Sequence, residues 1–188
     1  MTDDRSSTLI TISNPRSPIS EAYRTLRTNL EFSSLDKALR TMVVTSASPE
    51  EGKSTTLANL AVTIAQAGKK VILVDCDLRR PALHQIFNAR TTPGFTDMMR
   101  DDALMSNPPL QETSIANLRL LASGTIPPNP SELLASRRMG EVIAALQLQA
   151  EVVLFDAPPI IAVTDAAVLS SKVDAVLLKV AKWIADKA

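Results

Sequence analysis

The chain of 188 residues is long enough for one domain that buries about 70% of the surface its unfolded chain exposes, so folding requires neither disulfides nor a structural metal. Its 20 basic and 20 acidic residues give a formal net charge of zero, which disfavours nucleic acid as a partner. A single cysteine, Cys76, and a single histidine, His84, exclude a Cys/His zinc site and a secreted disulfide scaffold and indicate a reducing compartment.

The amino-terminal region divides into a polar segment and a helix. Residues 1–16 are expected to form a flexible arm that can pair as an edge strand, and residues 17–188 form the main domain. A hydroxyl N-cap followed by proline starts helices, so Ser17 and Pro18 predict a helix. Four side chains recur at helical spacing and predict its apolar face: Ile19, Tyr23, Leu26 and Leu30.

From residue 41 the chain alternates strands and helices. Met42–Thr45 and Val71–Val74 are continuous apolar runs, and Ser54–Ala67 between them has a helical pattern that ends at Gly68. Such a unit predicts an α/β fold with a mostly parallel sheet covered by helices on both faces. The later predicted strands are 118–121, 152–155 and 175–180, with helical segments at 82–87, 96–100, 132–149 and 165–170.

Residues 47–54 carry a phosphate-binding pattern between the first strand and its helix. The sequence ASPEEGKS matches G-x-x-x-x-G-K-[ST] with Ala47 in place of the first glycine. A loop in this place directs backbone N–H groups and a helix N-terminus at one point, where nucleotide phosphates bind. Lys53 then reaches the phosphates and the Ser54 hydroxyl can ligate Mg²⁺. The sequence therefore predicts a P-loop NTPase fold.

Three aspartates follow predicted strands close to this loop. Asp75 and Asp77 end the second strand, and Asp156 ends the run at 152–155. Each aspartate alone is more simply a helix cap or turn former. In a doubly wound sheet, however, ligands bind at the carboxyl ends of the strands, so all three are expected beside the phosphates. Their hard oxygen atoms suit Mg²⁺.

A series of motifs stands in the following order: Glu21-x-x-Arg24-x-x-Arg27, the loop at 47–54, DxDLRRP at 75–81, SGTIPPNPSELL at 123–134 and FDAPP at 155–159. In order and spacing they resemble the bacterial tyrosine kinases (BY-kinases) of capsule and exopolysaccharide synthesis. The resemblance spans residues 17 to about 180. It implies an ATP-dependent, Mg²⁺-dependent protein-tyrosine autokinase that regulates polysaccharide polymerisation and export.

The resemblance also implies roles for individual residues. Lys53, Asp75 and Asp77 would be catalytic, with Asp75 as the candidate base, and Ser54, Asp75 and Asp156 would serve the metal. The nucleotide-binding set is Ser48, Pro49, Glu50, Glu51, Gly52, Lys53, Ser54 and Thr55.

The implied partners are further copies of the chain and proteins of the polysaccharide system. Glu21, Arg24 and Arg27 would form the subunit interface of a ring, although a solvated helix face with an ion pair is the simpler interpretation of the residues alone. The partners would also include a membrane polysaccharide co-polymerase that acts as activator, a protein tyrosine substrate and an opposing phosphatase. Without a predicted membrane segment or secretory signal, the chain is expected in the cytoplasm, held at the membrane through such a partner.

Two alternatives remain open at this point. One is an ATPase switch of the partitioning and septum-site type, whose signature lysine and glycines are replaced by Ser48, Pro49 and Glu50. The other is a catalytically inactive, nucleotide-binding subunit. The chain departs from the kinase family in having Tyr23 as its single tyrosine, instead of a tyrosine-rich tail. It is also expected to lack the family's last helix and strand, since it ends with Trp183–Ala188.

Two smaller questions concern residues beside the acids. Arg79 and Arg80 either neutralise phosphate charge or pair with acidic side chains. Cys76 stands between Asp75 and Asp77, whose charges should keep its thiol protonated, and His84 is interpreted as a surface or packing residue.

Overall fold

A computed structural model of the protein describes residues 9–33 and 38–180. The strands are β1 (Thr41–Ser46), β2 (Val71–Asp75), β3 (Gln111–Glu112), β4 (Leu118–Leu121), β5 (Val152–Asp156) and β6 (Ala175–Lys179). The helices are α1 (Ile10–Ser13), α2 (Pro18–Phe32), α3 (Lys53–Gln66), α4 (Leu83–Ile86), α5 (Phe95–Met98), α6 (Asp102–Ser106), α7 (Pro130–Ala135), α8 (Arg137–Gln147) and α9 (Asp165–Ser170).

The strands form one six-stranded sheet in the order β3-β4-β2-β5-β1-β6. Every pairing is parallel except that of the short β3 with β4. Thus β5, which is late in the chain, lies between β1 and β2 and aligns Val44 with Asp156 and Asp75 with Asp156. The predicted α/β fold with a mostly parallel sheet is confirmed.

Alternate residues of the central strands face two separate cores. Val43 and Phe155 belong to the core that includes side chains of α8, and Val44 and Leu154 belong to the core that includes side chains of α3. These strands are buried along their whole length because helices cover both faces of the sheet. Continuous apolar runs, and not an alternating pattern, are therefore the sequence signal of this sheet.

The amino-terminal region differs in part from its prediction. Residues 10–13 form the helical turn α1 with Leu9 and Thr11 buried, so the interpretation of this stretch as an edge strand is wrong. Asn59 of α3 explains the difference, because its side-chain oxygen accepts hydrogen bonds from the backbone N–H and the hydroxyl of Thr11. Residues 1–8 lie outside the described residues, and the division of the chain at residue 16 stays a prediction.

Helix α2 begins as predicted, with Ser17 as the N-cap accepting from the Ser20 N–H and proline in the first turn. Its predicted apolar face is wrong at Ile19, which is 58% exposed. The helix instead turns Ser20 inward, where the hydroxyl donates to carbonyls of the α1 region, and packs Leu26 and Leu30 against the α3 core. A small hydroxyl side chain therefore occupies the position nearest the neighbouring turn.

The remaining elements follow the predicted order with small shifts of their ends. The helical segment at 132–149 is two helices, α7 and α8, that meet at Ser136, which is extended and ends one helix while it begins the next. The short elements α6 and β3 were not predicted. Residues 181–188, which include the end of the chain discussed above, lie outside the described residues.

Candidate active site

The phosphate-binding loop connects the carboxyl end of β1 to α3, as the sequence predicts. Gly52 precedes the helix in the left-handed conformation, with φ 77° and ψ 27°, and no side chain caps the helix N-terminus. Glu50 also has a positive φ of 62°. Since α3 is 14 residues long, its first-turn N–H groups form a place where an anion can bind.

Lys53 connects the loop to two of the predicted acids. Its Nζ lies 2.7 Å from Asp77 Oδ2 and 3.1 Å from Asp156 Oδ1. Burial alone would lower the pKa of Lys53, but the attraction of Asp156 and Asp77 outweighs it, and the pKa is raised above the ordinary value of lysine. The side chain is thus a fixed cation at the helix N-terminus.

Ser54 and Asp156 are joined directly at the end of β5. The Ser54 hydroxyl donates to Asp156 Oδ2, and Lys53 Nζ also lies 3.2 Å from the Ser54 oxygen. Asp156 is fully buried, and desolvation raises its pKa although Lys53 and Ser54 oppose the shift. The fixed positions of these two oxygen groups follow from α3 and β5 meeting at the same edge of the sheet.

Asp75 is buried beside Asp156 and has one free oxygen. Its Oδ2 accepts hydrogen bonds of 3.0 Å from the backbone N–H groups of Ala82 and Leu83, so it caps the start of α4. Its Oδ1 is buried without a hydrogen-bond partner. Burial and repulsion from Asp156 raise the pKa of Asp75 to about 8. A buried acceptor without a donor is a position at which a ligand, a metal-bound water or a proton can bind.

Asp77 uses both of its oxygens. Oδ2 pairs with Lys53, and Oδ1 accepts from the backbone N–H of Arg80 at 3.0 Å. This second bond is an aspartate turn, which shapes the irregular segment between β2 and α4. Asp77 is therefore at once part of the charged cluster and part of the backbone that supports it.

A cavity of about 380 Å³ opens above the phosphate loop. It is lined by Pro49, Glu50, Gly52, Lys53, Ser54, Thr55, Asp77, Arg80, Ala82, Gln85, Ile86 and Pro159. Ser48 and Glu51, which were predicted to bind nucleotide, are not in this lining. The Ser48 carbonyl accepts a hydrogen bond from the Ser46 hydroxyl, and Glu51 Oε2 accepts one from the Ala47 N–H. Ser48 and Glu51 therefore stabilise the conformation of the loop.

The residues predicted to serve Mg²⁺ offer only oxygen atoms, as that ion prefers. Ser54 and Asp156 are in contact, and the free Oδ1 of Asp75 is buried nearby, so the donor set fits the ion. Within residues 9–33 and 38–180, no cluster of three or more His, Cys, Asp or Glu side chains is arranged to hold a metal by itself. If Mg²⁺ binds at these residues, phosphate and water oxygens would complete its coordination.

The triplet on α2 lies away from this cluster. Arg24 pairs with Glu21 on the surface of the helix. Arg27 instead donates from Nη1 to the Thr63 carbonyl of α3 at 3.0 Å, so it ties α2 to the domain. The role of the three residues in a subunit interface stays a prediction.

The two arginines after Asp77 have different environments. Arg79 pairs with Asp165 at the start of α9, with Nε 3.0 Å from Oδ2, and so follows the second of its two predicted alternatives. Arg80 lines the cavity and lies 4.0 Å from Glu50, with both side chains well exposed. The pairing of Arg79 with Asp165 was not predicted, because an aspartate at the start of a helix is locally explained as a cap.

Cys76 and His84 are among the residues on which the sequence leaves smaller questions, and burial shifts the pKa of both. Burial, together with repulsion from Asp75 and the other acids, raises the pKa of the Cys76 thiol and keeps it protonated. Burial lowers the pKa of His84, whose Nδ1 is buried without a hydrogen-bond partner.

Across the part of the chain that the structure describes, no helix combines the length and apolar character needed to cross a bilayer.

The sequence matches the family described as CobQ/CobB/MinD/ParA nucleotide binding domain over residues 42–185. It is 44% identical over 179 residues to the tyrosine-protein kinase YwqD of Bacillus subtilis (strain 168), covering 95% of this chain and 75% of that protein. It is 39% identical over 165 residues to the tyrosine-protein kinase wzc of Salmonella typhimurium, covering 88% of this chain and 23% of that longer protein.

Solved structures give the same grouping. The crystal structure of the chimerical protein CapA2B2 superposes with a TM-score of 0.89 at 40% identity, over 96% of this chain and 79% of that chain. The septum site-determining protein MinD of Pyrococcus horikoshii, complexed with Mg-ADP, superposes with a TM-score of 0.62 at 24% identity, over 74% of this chain and 57% of that chain. The second likeness is one of fold alone.

Proposed function

Because the chain belongs to the bacterial protein-tyrosine kinases that share the CobQ/CobB/MinD/ParA nucleotide-binding domain, we propose that it transfers the γ-phosphoryl group of ATP·Mg²⁺ to a tyrosine hydroxyl of another protein chain. The family membership predicted from the motifs is confirmed. A tyrosine-kinase function is therefore favoured over the ATPase-switch alternative. The roles of individual residues and the acceptor are part of the proposal.

The observation that carries the proposal is the convergence of Lys53, Asp77 and Asp156 at an uncapped helix N-terminus that opens into a cavity. Phosphoryl transfer depends mainly on positioning and on neutralising the charge of the transferred group. The loop N–H groups and Lys53 supply positive charge from one side. The aspartates supply oxygen atoms next to Lys53 that would hold a metal ion and orient the acceptor hydroxyl.

Lys53 must change partners when a nucleotide binds. Its Nζ is held by two carboxylates, and nucleotide phosphates at the helix N-terminus would be a third, more strongly charged partner. Ser54 and Asp156 would hold the metal ion. A Mg²⁺ ion bound there would offset the negative charge of the phosphates. Lys53 is then free to contact the β- and γ-phosphates.

Asp75 is the group that we assign as general base. Its free Oδ1 is a buried acceptor, and its raised pKa of about 8 gives it a high affinity for a proton. With that pKa the carboxyl carries a proton at neutral pH in the nucleotide-free chain. A positive charge bound beside it would lower this pKa, and Asp75 would then lose the proton and act as a base in the loaded site.

The proposed setting follows from the family resemblance. The chain would act as a ring of identical subunits at the cytoplasmic side of the membrane, with a membrane polysaccharide co-polymerase as activator and a phosphatase that reverses its action. It would thereby regulate capsule or exopolysaccharide polymerisation and export.

The proposed activity is tested by incubating the chain with ATP·Mg²⁺ and a tyrosine-rich peptide, with and without a membrane co-polymerase fragment, and detecting phosphotyrosine by mass spectrometry. We expect phosphotyrosine on the peptide and a strong loss of transfer in Asp75→Asn. Steady release of inorganic phosphate without phosphotyrosine on any acceptor would instead establish the ATPase switch. Nucleotide binding without either product would establish the inactive subunit.

A further inference from the structure

The segment between β2 and α4 carries three residues of the cavity lining but has no regular secondary structure. Residues 76–82 are neither helix nor strand, yet Asp77, Arg80 and Ala82 line the cavity. Local bonds shape this segment: Asp77 Oδ1 accepts from the Arg80 N–H, and Asp75 Oδ2 accepts from the Ala82 N–H. These bonds fix its curvature. The Asp75 bond also ties the end of the segment to β2, and the Cys76 N–H donates to the Asp156 carbonyl of β5, whereas Arg79 in its middle is held from another part of the domain.

A buried carboxylate connects this segment to the helices α7 and α9. Asp165, in the first turn of α9, is fully buried. Its Oδ2 accepts from Arg79 Nε at 3.0 Å and its Oδ1 from Arg79 Nη2 at 3.2 Å, a bidentate pair. The Ser131 hydroxyl, in the first turn of α7, donates to the same Oδ1. One carboxylate thus holds the segment, α9 and α7 together.

We propose that Asp165 is a positioning residue for phosphoryl transfer: by clamping Arg79 against α7 and α9, it fixes the 76–82 segment so that Asp77 and Arg80 face the cavity. This inference rests on the proposed function for its catalytic consequence. A fork-shaped guanidinium held at two atoms restrains both the place and the orientation of the backbone that carries it. Arg79 is two residues from Asp77, so movement of one displaces the other.

The two ends of the clamp have unequal environments. The Arg79 side chain is 42% exposed, whereas the Asp165 side chain is fully buried. When Asp165 is replaced by asparagine, Arg79 can turn to water and the segment is released with little unpaired charge. When Arg79 is replaced by alanine, Asp165 is left as a buried carboxylate with only a hydroxyl partner, which destabilises the fold. Asp165→Asn is therefore the cleaner variant.

The direct test is amide hydrogen exchange of the nucleotide-free chain. In Asp165→Asn the Arg80 and Ala82 amides should exchange at least about tenfold faster, while core amides of β2 such as Leu73 keep their rates, as for a local opening. Arg79→Lys, which keeps the charge and loses the bidentate geometry, should give an intermediate rate. Asp102→Asn, which removes the exposed partner of Arg138, is the matched control and should change neither amide.

The kinetic test compares transfer with binding in the same variants. Misplacing a catalytic group by about 1 Å costs up to about 100-fold in rate, so Asp165→Asn should lower kcat by about tenfold or more while the Kd for ATP·Mg²⁺ changes by less than about threefold. Unchanged exchange at Arg80 and Ala82, or faster exchange with an unchanged kcat, would overturn the inference. A wild-type chain that never forms phosphotyrosine would overturn the proposed function instead, and the exchange rates would still decide whether Asp165 holds the segment.

Discussion

Asp75 and Asp156 lie directly opposite each other at the carboxyl ends of the adjacent parallel strands β2 and β5. Both are fully buried, and Lys53 contacts only Asp156 of the two. If both carboxyl groups were ionised, their two negative charges would exceed the single positive charge of Lys53 beside them. Burial and repulsion from Asp156 raise the pKa of Asp75, whereas burial, with a smaller contribution from Asp77, raises the pKa of Asp156.

The stability of the nucleotide-free chain should fall as the pH rises. Asp75 has a pKa near 3.8 in an unfolded chain and about 8 in the folded one, so the folded chain binds the extra proton between these values. The contribution of Asp75 to the free energy of unfolding is then greatest below pH 4 and is lost as the pH rises through 8. Asp156 shifts in the same direction, and Lys53, whose pKa is raised, does not titrate in this range.

Asp75→Asn should remove most of this dependence. The asparagine oxygen can still accept from the Ala82 and Leu83 N–H groups, and the side chain cannot ionise. At pH 8.5 the variant should be more stable than the wild type by at least about 1 kcal/mol, because one pKa unit corresponds to about 1.4 kcal/mol. Thermal unfolding without nucleotide at pH 5.5 and 8.5 measures this. Parallel pH profiles of the two chains would contradict the prediction, and Asp102→Asn serves as an exposed control.

Lys53→Met should abolish ATP·Mg²⁺ binding and also weaken the fold. The change leaves Asp77 and Asp156 as buried carboxylates without their cation, which costs about 3–5 kcal/mol for a buried pair. The loss should be smaller at pH 5.5 than at pH 8.5, because the pKa of Asp156 is raised by burial and would rise further without the opposing charge of Lys53, which favours its protonation as the pH falls. Calorimetric titration and thermal unfolding at two pH values measure both effects.

Lys69→Met is the matched control, because Lys69 pairs with Glu31 on the surface and both side chains are 40% exposed. Its stability should change by less than about 0.5 kcal/mol and its nucleotide affinity should not change. If Lys53→Met binds nucleotide with the wild-type Kd, the assignment of the phosphate loop is wrong.

The sequence predicted those parts of the site that depend on neighbouring residues. The phosphate loop and the acids at strand ends follow from local spacing and from the rule that parallel strands end at one edge of a sheet. The contacts of Arg27 with Thr63 and of Arg79 with Asp165 join residues 36 and 86 positions apart, and no local pattern encodes such pairs. The exposure of Ile19 was likewise set by α1, which a periodicity argument does not include.

Substitutions of Glu21 and Arg27 on α2 should have different effects on assembly and on folding stability. Glu21→Ala removes only a surface ion pair, so it should leave the melting temperature unchanged and shift any oligomer towards monomer. Arg27→Ala should also lower the melting temperature, since the bond to the Thr63 carbonyl is lost. Analytical ultracentrifugation over a range of concentrations measures assembly, with the exposed Thr25→Ala as control. A wild-type chain that stays monomeric with its activator would rule out this interface.

Tyr23 should be a poor phosphate acceptor. It is the only tyrosine in the sequence, and it lies half-buried within the 15-residue helix α2. To place its hydroxyl in line with the γ-phosphate of a neighbouring copy, this side chain would have to leave its half-buried position on the helix. Tyr23→Phe should therefore transfer phosphate to a tyrosine-rich peptide at the wild-type rate. Phosphate found mainly on Tyr23, with little on the peptide, would show the opposite.

Two glycines should respond in opposite ways to alanine. A Cβ at Gly94 would lie 2.4 Å from both the Ala122 carbonyl oxygen and the Gly124 nitrogen, so backbone must move and Gly94→Ala should cost about 1–3 kcal/mol or more. Gly140 is in helix α8 with open space around it, and Gly140→Ala should stabilise the chain by about 0.5–1 kcal/mol. Chemical unfolding of both variants measures the difference, and a shared sign would contradict it.

The place of β5 between β1 and β2 affects how the protein is made. Lys53 and Asp156 are 103 positions apart in the chain, so the ribosome has released β1 and β2 well before the strand that joins them is synthesised. Until residue 156 emerges, the inner edges of both strands have no native partner, and unpaired strand edges promote association between nascent chains. Because β5 carries Asp156 of the proposed metal site, a chain still under synthesis should bind ATP·Mg²⁺ only after β5 has been inserted between β1 and β2.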